Sequence, residues 1–145
     1  MFRRNQQPYR THLYSVRRPM GDVLRNCTCE VNDREMIITG TPVGNSPSKI
    51  VIPLNGIDYL WHEVHRYSLY EYSSQEMRFC SVELCATTNR SLVTFQDGVD
   101  DNFDFATHIE PGYKLMKAIM DRAGLKPVDD LPGIDGYKEW LEGRR

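Results

Sequence analysis

Between Leu24 and Gln96 the apolar residues come in short runs, each closed by residues that turn the chain, and a helical stripe replaces them only after residue 110. Short runs separated by turn chemistry favour an antiparallel sheet over parallel βαβ units, which need a crossover of a dozen or more residues between strands. Leu24–Val31, Asn32-Asp33 and Arg34–Thr39 read as a hairpin with a two-residue loop. That loop sets Cys29 opposite Met36 and Cys27 opposite Ile38, and gives Cys27, Cys29, Val31, Met36 and Ile38 one shared, buried face. Residues 40–48 (GTPVGNSPS) form a loop, and Lys49–Leu54 is a short apolar strand whose Pro53 marks an edge or an end. Residues 56–61 start a further strand, Val64–Tyr72 and Gln75–Ala86 make a second hairpin about Ser73-Ser74, and Ser91–Gln96 is the last strand.

Pro111–Ala123 reads as a helix because Leu115, Met116, Ile119, Met120 and Ala123 make one apolar stripe. Pro111 suits its first turn, Gly124 its left-handed stop, and Pro127 blocks continuation. A shorter helix over Asp135–Glu142 follows, with Asp135 as its cap and Tyr137, Trp140 and Leu141 as an apolar side. The expected fold is therefore α+β: a curved antiparallel sheet or small barrel of five to seven strands, packed on one C-terminal helix.

Charge divides the chain. Residues 1–25 hold six arginines against the single acid Asp22, while the other 120 residues carry 12 basic and 19 acidic side chains, a balance of −7. Pro8, Pro19 and Gly21 interrupt the opening residues, which show no sustained period and read as an extended arm. The expected organisation is a basic arm over 1–22, a β-rich core with its closing helix over 23–126, and a tail with a short helix over 127–145. At 145 residues, 40% hydrophobic and 26% charged, the chain has the size and composition of one globular domain. No window approaches the roughly 20 apolar residues of a membrane helix. The N-terminus lacks the apolar stretch of a secretory signal, so a cytoplasmic setting is expected (host cytoplasm or virion, if the protein is viral) and the sequons at Asn26 and Asn89 are expected to be silent.

Arginine forks pair with carboxylates and phosphates at any cellular pH. Arg3, Arg4, Arg10, Arg17 and Arg18 are therefore the first candidates for partner binding. Tyr70 and Tyr72, which share a half-polar strand face with Arg66 and Ser68, are the second. Asp97, Asp100, Asp101 and Asp104 gather four carboxylates in one loop, a docking point for another copy's basic arm. Their order departs from a calcium-binding loop. His62 and His65 lie three apart on a strand, so their rings point to opposite faces and do not share an ion. Cys27, Cys29, Cys80 and Cys85 lack the spacing of a zinc site and read as core thiols. With no nucleophile elbow, phosphate-cradling loop or dinucleotide fingerprint, no cofactor, metal or catalytic residue is expected. His12 and His108 have no acid partner that spacing alone identifies.

The element order, a run of antiparallel strands closed by one helix, resembles a pleckstrin-homology-type arrangement over about residues 24–124. The turn at residues 31–35 lacks the basic cluster that lipid-head-group binding would need. The functional expectation is a non-enzymatic interaction or assembly subunit, viral or phage-encoded, that docks on the acidic surface of a protein partner or of another copy of itself through the arm. The acidic body would repel a polyanion, which places nucleic-acid binding through the arm second. A small metal-dependent hydrolase using His62, His65 or the acidic loop stands third.

Overall fold

A computed structural model describes residues 7–18, 21–68, 76–86, 90–94 and 105–144, with backbone alone described at 63–68, 76–86, 90–92, 94, 107 and 108. The strands are β1 Tyr9–Arg18, β2 Gly21–Val31, β3 Glu35–Pro42, β4 Lys49–Pro53, β5 Ile57–Ser68, β6 Glu76–Ala86 and β7 Arg90–Thr94. A 3₁₀ turn, Leu54–Gly56, joins β4 to β5, and the helices are α1 Phe105–His108, α2 Glu110–Ala123 and α3 Ile134–Leu141. The class is α+β, as expected.

Every strand pairing is antiparallel, in the order β4-β3-β2-β1-β7-β6-β5. Read around a circle, the strands follow chain order with a single gap, between β4 and β5. The sheet is thus an up-and-down arrangement left open at that gap, and a closed barrel is not formed. Helix α2 lies against β1, β5, β6 and the 3₁₀ turn.

The largest correction concerns the N-terminus. Residues 9–18 are not an arm outside the body but the middle strand of the sheet, paired with β2 along its length and with β7 at Ser15↔Thr94, Val16↔Val93 and Arg17↔Leu92. Leu13, Ser15 and Val16 are buried. The segment is polar overall because a strand needs only one apolar face, and its alternation is broken by an irregularity between Val16 and Arg17. The body therefore begins before Val23.

The first hairpin forms, two residues out of the expected register: Val31 faces Met36 and Cys29 faces Ile38. Asn32 is the cause. Its N–H donates to the Glu35 carbonyl at 3.0 Å, and its Oδ1 accepts from the N–H groups of Arg34 at 2.8 Å and Glu35 at 2.9 Å. The loop is then Asp33-Arg34. A two-residue slip preserves side-chain parity, so Cys27, Cys29, Val31, Met36 and Ile38 remain together and fully buried. The expected strand start at 56–61 and the expected strand from Val64 are one continuous strand, β5.

Helix α2 matches its stripe: Leu115, Met116, Ile119 and Met120 are buried, and Gly124 at φ 70° ends it with its N–H bonded to the Met120 carbonyl. In α3 the cap is Gly133 rather than Asp135, which lies in the first turn. Ile134 and Tyr137 are buried in the main core, so residues 134–141 belong to the body and not to a separate tail. Among the described residues no helix is long and apolar enough to cross a membrane.

Candidate functional site

Once β1 is central, the N-terminal arginines have defined positions. Arg10, His12 and Tyr14 alternate outward along the exposed face of β1, and Arg17 is exposed beyond the irregularity. On β2, Glu30 stands opposite Arg10, Thr28 opposite His12 and Asp22 opposite Arg17, while Arg25 pairs with the buried Ser15. Arg10 Nη2 lies 3.2 Å from Glu30 Oε1, its cross-strand neighbour. Asp22 serves two cations: Oδ1 accepts from Arg17 Nε at 3.1 Å, and Oδ2 accepts from Arg25 Nε and Nη2 at 3.3 Å. The side chains of Arg10, Arg17 and Arg25 are nonetheless 70%, 60% and 55% exposed, while Asp22 is only 16% exposed. The carboxylate sits low between two guanidinium groups that reach past it into solvent.

Ion pairs this exposed hold their partners by about 0–1 kcal/mol each. They leave more than half of each arginine side chain open to solvent, where it can meet another anion. Arg25 and Asp22 belong to this surface although the arginine count alone did not single them out as binding residues. Strand parity alone sets Arg10 and Arg17 on opposite faces, and it is the irregularity between Val16 and Arg17 that brings Arg17 to the outer side. Arg18 differs from the other arginines, because its Nε is buried and has no hydrogen-bond partner. Arg3, Arg4, Tyr70, Tyr72, Asp97, Asp100, Asp101 and Asp104 lie outside the described residues.

Away from this face, Cys27, Cys29 and His62 are buried. Burial pushes the Cys29 thiol up to about 12 and raises Cys27 as well, so both are protonated core groups and poor nucleophiles. His62 is buried on the inner face of β5, with Nε2 lacking a hydrogen-bond partner. Burial lowers its imidazole to about 4. Among the described residues no three His, Cys, Asp or Glu side chains gather where they could hold a metal ion.

Comparison with protein-family models, with curated proteins and with solved structures finds no match for this chain.

Proposed function

We propose that the chain is a non-enzymatic interaction module whose contact surface is the outer face of the β1–β2 ribbon, and that its partner presents carboxylates. The observation that supports this reading is the Arg17–Asp22–Arg25 cluster, in which two largely exposed guanidinium groups share one recessed carboxylate. The cluster carries an excess positive charge on a rigid sheet face. Arg10 extends the cationic face along the strand, and Tyr14, also exposed, supplies an amphipathic ring between them. A planar fork held in place loses little freedom on meeting a carboxylate, which favours a folded acidic surface over a diffuse ion cloud. Arg3 and Arg4 precede this face in the sequence.

The test is binding of a labelled polyglutamate peptide, measured by fluorescence anisotropy against an oligothymidylate of equal charge. Replacing Arg10, Arg17 and Arg25 together by glutamine should weaken peptide binding by about tenfold or more, since each charge-assisted contact contributes about 1 kcal/mol. Unchanged affinity in that variant would remove the surface from the account. Tighter binding of the oligonucleotide, falling steeply between about 50 and 200 mM salt, would transfer the surface to nucleic acid.

A further inference from the structure

His62 occupies an unusual position. Its ring lies against the backbone of Gly112 in the first turn of α2, where an added Cβ would stand 2.2 Å from Nε2 and 2.4 Å from Cδ2. Tyr113 meets the ring edge-on at a centroid distance of 5.0 Å. On the backbone side, the His62 N–H donates to the Pro132 carbonyl at 3.0 Å. Gly133 at φ +77° approaches so closely that a Cβ there would be 2.1 Å from the His62 carbonyl oxygen. One residue of the edge strand β5 therefore touches both the start of α2 and the turn that starts α3. Tyr113 carries the contact onward to Tyr137 at 5.9 Å and Trp140 at 5.8 Å.

We propose that His62 is a proton-gated joint: neutral, it holds the first turn of α2 and the segment 131–141 against the β5 edge, and charged, it drives them off. Protonation would give Nε2 a hydrogen that needs an acceptor, in a place where Gly112 leaves no room for water and the facing ring offers none. Among the described residues, the acids of the neighbouring elements are already engaged. From α2, Glu110 is engaged by Lys114 at 3.6 Å and by Trp140 Nε1 at 3.1 Å. From the turn before α3, Asp129 is paired with Lys138. Tyr113 and Tyr137 line this contact, α3 also carries Asp135, Lys138 and Glu139, and Tyr137 is pushed up to about 12 by burial, so it stays neutral. By register, Val82 stands opposite His62 on β6.

The direction of the pH effect follows. Burial lowers the closed-state imidazole from 6.5 to about 4, so the open state binds the proton more readily across that window. The joint is fully stable above pH 6.5, loosens as pH falls, and changes no further below about 4. Its opening constant should rise by about 100-fold between pH 7 and pH 4.

The experiment is amide hydrogen exchange of residues 134–141, corrected for intrinsic rates, from pH 7 to pH 4 on the full chain, with the amides of β2 and β3 as internal reference. Glu110→Gln keeps an acceptor for Trp140 and removes a carboxylate that borders the joint, so its response should match that of the unaltered protein. His62→Leu should abolish the response. Should His62→Leu fail to fold, the imidazole titration followed by NMR in the unaltered protein decides. An imidazole that titrates near 6.5 in the closed state overturns the proposal, as does loss of the response in Glu110→Gln or its absence in the unaltered protein.

Discussion

Asp22 shows how much one side chain decides on the outer face. It is the internal competitor for the guanidinium groups of Arg17 and Arg25. Asp22→Asn should therefore tighten polyglutamate binding a few-fold while costing about 1 kcal/mol or less of stability, as expected for exposed pairs. Weaker binding in that variant would mean that the carboxylate orients the arginines rather than competing for them. The two glycines beside His62 carry a different burden. Gly112→Ala drives a methyl into the imidazole and should cost about 1–3 kcal/mol in urea unfolding. Alanine at Gly133 meets both a backbone oxygen and a left-handed conformation, so it should cost at least as much. The buried thiols Cys27 and Cys29 should label with a thiol reagent only at the rate of unfolding, as read by peptide mass after digestion.

Among the elements, α2 was the most legible in the sequence, because its stripe, its proline start and its glycine stop agree with one another. Ile119→Ala should cost about 2–5 kcal/mol, since the side chain is fully buried at the centre of that stripe. The first hairpin was legible in its faces and misplaced in its register, because the side chain of Asn32 joins the turn in a way that periodicity does not report. Strand β1 was illegible for a related reason. Leu13, Ser15 and Val16 are all buried, which breaks the two-residue alternation that marks a strand, and the pairing with β2 shifts just beyond them, between Val16 and Arg17. At the edge strand β4, the Leu54–Arg34 bond sets the alternation so that the backbone groups of Lys49, Val51 and Pro53 face outward. A lysine and a proline there blunt the edge against further pairing, and Pro53 was readable as an edge marker from the sequence.

The whole molecule joins its two ends to its middle. Arg122, near the end of α2, donates from Nη2 to the Gln7 carbonyl at 2.8 Å, which ties the approach to β1 onto the closing helix. The C-terminal turn meets β5 through Pro132, and β1 separates the β2–β4 half of the sheet from the β5–β7 half. A charge count could locate the basic surface but not its support, because composition does not distinguish a solvated leader from a strand with one cationic face. The most direct measurement is urea unfolding of the chain lacking residues 1–21, beside one lacking only residues 1–8. Removal of the middle strand should abolish cooperative unfolding in the first, while the second keeps a single transition. A first variant that unfolds cooperatively with undiminished stability would show that the sheet does not need β1 and would contradict the account.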